Sequence, residues 1–442
     1  MAGTVAWHED RFGHVRGRIR RVAAPAVMRK YRMDEFQHQP AGSPRPAGPV
    51  AGLPRPAPEA AAASESLTAR IVAAIGAAGG WIGFDRYMAM ALYEPGLGYY
   101  SSGRPVFGPG GDFVTAPELT PLFGAALSRQ IGAWLAACGA DEPLVVEFGA
   151  GSGMLASQLL NSLDRQGYRN LRYQIVELSG DLRRLQRKTI AARLPQMVGQ
   201  VEWLDTMPAD FRGVVIGNEL LDAMPVRTFE FDGASLLEVG VTVEGGRLAW
   251  AARPADAGLE QLVAQLGVEK AAWQLPYRSE VCPQHSAWLA TVASAMRAGT
   301  ILLLDYGFPA GEYYHPQRMG GTLMSHYRHR SLTDPFLWPG LQDITAHVDF
   351  SRLLAAGEAA GLQPLGYASQ ARFLLNCGLL DELDALPRDE QRLWFSQAQA
   401  VQRLLSEAEM GELFKAIAFA KDMPASASLP GFADGDRLGS LR

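Results

Sequence analysis

The stretch that begins near Glu142 most constrains what this chain can fold into. Short apolar runs, "PLVVEFG", "YQIVELS", "VEWLD", "GVVIGNE" and, much later, "GTILLLDYG", alternate with segments of helical period. Such runs are strands buried on both faces, and strands separated by helices pair in parallel through crossover connections. The expected fold is therefore an α/β sheet. Between the fourth and fifth runs, "RTFEFDGASLLEVGVTVEGGRLAWAA" interrupts the alternation, and its turn signals "DG" and "EGG" predict an antiparallel β-ribbon. Ahead of the sheet, Leu122, Phe123, Ala126, Leu127, Ile131, Trp134 and Leu135 recur at helical spacing. Further upstream, two helices are expected on either side of "GGWIGF". The C-terminal third reads as largely helical, ending in "AEMGELFKAIAFAK".

A chain of 442 residues calls for a main domain with sizeable additions. Residues 1–66 are basic and then Pro/Ala-rich, a composition that holds neither helix nor sheet ladder and predicts a disordered leader. The leader suits a transit peptide, or a start of translation set too far upstream of Met28 or Met33. Residues 67–138 are assigned to a helical N-terminal cap with a Gly-rich loop. Residues 139–442 are assigned to the core, with an insertion at about 222–299 and helical C-terminal additions. A net charge of −5 removes the electrostatic footprint of a dedicated nucleic-acid binder. Cys138, Cys282 and Cys377 match no metal or disulfide spacing, which favours a reducing compartment. The expected setting is cytoplasmic, or the mitochondrial matrix if the leader is a transit peptide. No apolar run approaches the roughly 18 residues of a membrane span.

The strongest local signal is "LVVEFGAGSGML". A buried strand ends at Glu147, and Gly149, Gly151 and Gly153 then open a helix, letting the backbone and its N–H groups approach a ligand closely. The dinucleotide fingerprint needs glycine where Met154 stands, so the pattern suits a ligand without phosphates. Glu177 ends the next strand, where a carboxylate can accept both hydroxyls of a ribose. Asp205 closes "VEWLD", within reach of an adenine edge. Strand-terminal acids that only solvate a sheet end remain the plain alternative.

With "VVEFGAGSG", "IVELS" and "GNELLDAMPV", the chain resembles class I S-adenosylmethionine-dependent methyltransferases. The set "ALYEPGLGYY", "FGPGGDFVTAPELTPLFG", "GNELLDAMPV", "LLLDYGFPAGEYY", "GTLMSHYRH", "DITAHVDF" and "MGELFK" more closely resembles the MidA family, from about Ile71 to Lys421. That resemblance implies a seven-stranded Rossmann-like methyltransferase core and, by likeness to its mitochondrial members, arginine methylation on a complex I subunit. The implied cofactor is S-adenosyl-L-methionine, held by Gly149, Ala150, Gly151, Ser152 and Gly153, with Glu147 beside them and Glu177 on the ribose. Gly111, Asp112, Phe113 and Thr115 would cover it. A protein is the implied methyl acceptor; whether the enzyme is a homodimer stays open.

In such a fold the fourth strand ends beside the transferred methyl, which makes Asn218, Glu219 and Asp222 the catalytic candidates. A guanidinium has no lone pair to spare, and removing its proton beforehand at pH 7 costs on the order of 7 kcal/mol. Carboxylates offer an easier route by clamping the fork, localising its charge and taking the proton as the bond forms. Glu219 is the first choice and Asp222 the second, against the alternative that Asn218 and Glu219 only bind cofactor and Asp222 only caps a turn. His347 could shuttle a proton with help from Asp343 or Asp349, but a lone histidine in a loop is more often satisfied locally, and that reading is preferred; Asp305 and Tyr306 are read as pocket wall. "SHYRHR" lacks histidines at i, i+4, and methyl transfer needs no metal. A non-catalytic assembly factor that binds the cofactor is the competing reading.

Overall fold

The computed structural model describes residues 53–104, 106, 114–139, 142–424 and 427–442. Seven strands form the central sheet: β1 (Leu144–Phe148), β2 (Arg172–Val176), β3 (Val201–Leu204), β4 (Phe211–Asn218), β5 (Met296–Phe308), β6 (Gln363–Ser369) and β7 (Phe414–Lys421). Their spatial order is β6-β7-β5-β4-β1-β2-β3, and every pairing is parallel except the two made by β7. Alternate residues feed opposite faces, as the pleat requires. Val145, Val214, Ile216, Leu302 and Leu304 join one core with α3 (Leu122–Cys138) and α4 (Met154–Arg165). Val146, Val215, Ile301 and Leu303 join a second core with α6 (Pro283–Ala295) and α7 (Phe350–Ala359). Burial on both faces explains why these strands read as uninterrupted apolar runs.

Chain order reverses at β1, which has β2 on one side and β4 on the other. In open α/β sheets, ligands bind at the carboxyl ends of the strands at such a switch point. The "RTFEFDG" insertion forms a separate antiparallel sheet from Arg227–Phe231, Leu236–Glu244, Arg247–Pro254 and Tyr277–Val281. The N-terminal cap adds Ile82–Gly83 to it, with Ile82 opposite Val241. Helices α1 (Pro58–Ala77) and α2 (Phe84–Tyr93) bury Leu67, Ile71, Ile75, Tyr87 and Met88 in a third core with Val241 and Ile344.

The structure departs from the sequence reading at two places. The segment "FKAIAFAK" is β7, lying between β5 and β6, not the end of a helical tail, and Gln363–Ser369 is likewise a sheet strand. Ala and Lys favour helix intrinsically, but a short run buried on both faces has no period to distinguish strand from helix, and sheet pairing overrides propensity. Helix α1 begins at Pro58, inside the segment read as a leader. Its proline stands in the first turn, where a missing N–H costs nothing, and an Ala run follows. No helix among the described residues is long and apolar enough to cross a membrane.

Candidate active site

A cavity of about 810 Å³ opens at the carboxyl ends of β1, β2, β3 and β4. Gly149, Gly151 and Gly153 take φ of +66°, +51° and +80° between β1 and α4, a left-handed path that side chains with Cβ disfavour. At Gly153 space also decides: a Cβ would meet the Gln186 backbone at 2.9 Å. Glu147, Gly149, Ala150, Gly151 and Ser152 all line the cavity. Ser152 donates its hydroxyl to Glu118 of the cap. Glu147 is buried, accepts a 2.7 Å hydrogen bond from the Tyr173 hydroxyl, and is pushed up to about 7 because burial disfavours its charge. Thr115 lines the cavity, whereas Gly111, Asp112 and Phe113 lie outside the described residues.

Beyond the tip of β2, Glu177 also faces the cavity. One carboxylate oxygen accepts from the Ser179 amide at 2.8 Å and the other from the Gln186 side chain at 3.1 Å. Burial raises its pKa, opposed by those same two bonds. Asp205 lines the rim, exposed and paired with Arg183 at 2.5 Å, while the Arg183 Nε donates to the Glu177 carbonyl at 2.6 Å. Asp205 therefore reaches the cavity and also fulfils the plain solvating role of a sheet-end acid.

Asn218, Glu219 and Asp222 line the same cavity. Glu219 has φ of +51°, uncommon for a residue with a side chain, and its amide donates to the Leu304 carbonyl at 2.9 Å. Asn218 Oδ1 is buried with no hydrogen-bond partner among the described residues, so it remains able to accept from a ligand. Asp222 is 3% exposed, and one of its oxygens accepts from the Tyr306 hydroxyl at 2.7 Å. The loop that carries these groups is fastened from below. Asp305 accepts from the amides of Leu221 and Asp222 at 2.8 and 3.3 Å. The Leu221 carbonyl meets His285 Nε2 at 2.9 Å, and the Asp222 carbonyl accepts from the Ala346 amide at 3.0 Å. Burial, then the Asp222 charge, pushes the Asp305 carboxyl well above the usual carboxylate range.

Asp305 and Tyr306 thus stand behind the wall rather than in it. His347 is buried, stacked on Phe308 and edge-on to Tyr306, and desolvation drops it to about 3, so it is neutral near pH 7. Asp349 caps α7, and Asp343 accepts from Tyr100 at 2.8 Å. No group of His, Cys, Asp or Glu suited to a metal ion occurs among the described residues.

Four residues absent from the sequence-derived set complete the site. Tyr93 and Tyr100 line the cavity and stack with ring centroids 5.7 Å apart. Their hydroxyls are tied to the Ala223 carbonyl at 2.9 Å and to Asp343. Both occur in "ALYEPGLGYY", so the motif was visible although their roles were not. Trp288 lines the far wall and meets Phe148 edge-on. Gln186 lies behind the glycine turn, on α5 (Gly180–Arg193).

Comparison with known proteins agrees with this geometry. The model of a family described as "Putative S-adenosyl-L-methionine-dependent methyltransferase" matches residues 126–368. A crystal structure from Burkholderia thailandensis bound to S-adenosyl-homocysteine is 48% identical, covers 88% of this chain and 100% of that one, and superposes with a TM-score of 0.83. Among curated proteins, the mouse "Protein arginine methyltransferase NDUFAF7, mitochondrial" is 28% identical over 369 residues, covering 74% of this chain and 78% of its own. The human protein of that name is 27% identical over 365 residues, covering 74% and 77%.

Proposed function

Because the chain belongs to the "Putative S-adenosyl-L-methionine-dependent methyltransferase" family, we propose that it methylates an arginine side chain of a protein, with a respiratory complex I subunit as the acceptor suggested by the family resemblance. The reading rests chiefly on one arrangement: Asn218, Glu219 and Asp222 share a cavity with the glycine turn and Glu177, beneath two tyrosine rings. Anionic groups beside aromatic faces suit a planar cation. The names of the mouse and human relatives, each a mitochondrial protein arginine methyltransferase, support arginine in a protein as the acceptor.

The residues fit the cofactor. A turn of three left-handed glycines admits a ligand against backbone, and Asn218 Oδ1 is a buried acceptor without a protein donor among the described residues. The Glu177 oxygens accept from the Ser179 amide and the Gln186 side chain, and a carboxylate has about four acceptor sites, which leaves capacity for ribose hydroxyls. When bound, S-adenosylmethionine supplies an electrophilic methyl carbon on a sulfonium. Glu219 and Asp222 clamp the guanidinium, draw its positive charge away from one nitrogen, and so leave a lone pair there able to attack. Glu219 accepts the N–H proton released when that nitrogen is methylated. Asp222, held by Tyr306, fixes the plane of the fork. Tyr93 and Tyr100 exclude water and orient the flat cation.

Incubating the purified chain with isotopically labelled S-adenosylmethionine and lysate from cells lacking the protein, then mapping the label by mass spectrometry, tests the proposal. Label on arginine supports it. Binding of S-adenosylhomocysteine without transfer to any protein would favour a non-catalytic assembly factor.

A further inference from the structure

Gln186 is fully buried and joins three parts of the site that are distant in sequence. Its Nε2 donates to the Gly151 carbonyl at 3.2 Å and to Glu177 Oε2 at 3.1 Å. Its Oε1 accepts from the Trp203 indole at 3.0 Å. Gly151 belongs to the glycine turn, Glu177 follows β2, and Trp203 lies in β3. The chemistry of these neighbours permits only one kind of side chain. A carbonyl and a carboxylate can only accept, and an indole N–H can only donate. Position 186 therefore needs two donors and one acceptor in a single planar group, at the reach of a glutamine. Glutamate would set carboxylate against carboxylate, lysine has no acceptor, and methionine leaves all three groups unsatisfied. The same polarity fixes which way the amide points. Gly153 presses on the Gln186 backbone from above, with no room for a Cβ, so the turn and this joint are seated together.

We propose that Gln186 is a positioning residue for the cofactor ribose: it holds the Glu177 carboxylate and the glycine turn in one register, with Trp203 orienting its amide. This rests on the reading of Glu177 as the ribose acid. Held at one oxygen by the Ser179 amide and at the other by Gln186, the carboxylate cannot rotate, and its remaining acceptor sites are aimed as a pair. Without Gln186 the carboxylate is free to swing toward solvent or toward Arg183, whose Nε lies on the Glu177 carbonyl. The glycine turn then also loses its tie to β3.

Calorimetric titration of the full chain with S-adenosylhomocysteine and with its 2′-deoxyribose analogue tests the proposal, using Gln186→Met, Trp203→Phe and Glu177→Gln. A hydrogen bond to a charged group is worth about 1.5–3 kcal/mol, so Gln186→Met should weaken S-adenosylhomocysteine roughly 10- to 100-fold. The deoxy analogue should lose clearly less; the unliganded melting temperature should fall, because three groups around this buried side chain lose their partner, so the contrast between the two ligands carries the test. Should Gln186→Met fail to fold, Trp203→Phe removes the donor that orients the amide while keeping an aromatic ring beneath Arg187; a smaller loss with the same preference for the hydroxylated ligand is expected. Affinity within twofold of wild type, or equal losses for both ligands, overturns the inference. The underlying reading is tested separately: a wild-type chain that binds no S-adenosylhomocysteine, or a Glu177→Gln chain that binds it undiminished, sinks the ribose assignment itself.

Discussion

Glu219 occupies left-handed backbone at the tip of β4, a conformation that costs a residue with a side chain on the order of 1 kcal/mol or more and persists only where its surroundings enforce it. Here the Leu304 carbonyl and the Asp305 brace beneath Leu221 do so, and the strain aims the carboxylate into the cavity instead of along the strand. Glu219→Gln should lower kcat by roughly 10²–10⁴-fold, the range for a lost general base. Its S-adenosylhomocysteine affinity should stay within a few-fold of wild type; a parallel loss of both in calorimetry and label-transfer assays would make Glu219 a cofactor ligand instead. Glu147 offers a test by pH. Its folded pKa near 7 exceeds the unfolded value of 4.5, so the folded chain binds more protons between these limits and loses stability as pH rises through them. Glu147→Gln removes that penalty, and its melting temperature relative to wild type should rise between pH 5 and pH 8, by the equivalent of at most on the order of 3 kcal/mol. A difference independent of pH would show that the carboxyl is not held protonated by the fold.

At the scale of elements, the glycine turn shows how much the sequence can disclose and where it stops. Gly153→Ala adds a Cβ at φ of +80° and within 2.9 Å of the Gln186 backbone, which cannot yield as a flexible side chain would. S-adenosylhomocysteine binding should fall at least about tenfold, and the melting temperature should drop, while Gly139→Ala, left-handed but open to space, should leave binding intact. Similar binding in both variants, measured by titration, would remove the turn from the cofactor site. The turn, the strand before it and Glu177 were legible because each leaves a local mark: a glycine where φ is positive, an apolar run, an acid where the run stops. The strand Phe414–Lys421 was not, because its identity depends on the neighbours β5 and β6 rather than on any pattern of its own. Gln186 was invisible for a related reason. An amide in a helix of charged residues looks solvated until Gly151, Glu177 and Trp203 are brought around it.

Across the whole molecule, the cavity is a junction between bodies. Its floor is the central sheet, and part of its roof is the cap, fastened by Tyr93 to Ala223, by Tyr100 to Asp343 and by Ile82 to the insertion sheet. A ligand that touches both should stabilise them as a unit: S-adenosylhomocysteine at about 100 times its Kd should add about 2.7 kcal/mol and raise the melting temperature in one cooperative step. Separate transitions by scanning calorimetry, with only one of them shifted, would uncouple cap from core. The lateral order of the sheet also has a consequence for biosynthesis. Because β7 lies between β5 and β6, the strand Gln363–Ser369 has no edge to pair with until residues 414–421 leave the ribosome, and the cap, translated first, waits for Asp343. Polypeptides interrupted before that point carry the glycine turn yet lack a closed sheet around it, so competence to bind the donor should arrive late in translation, all at once.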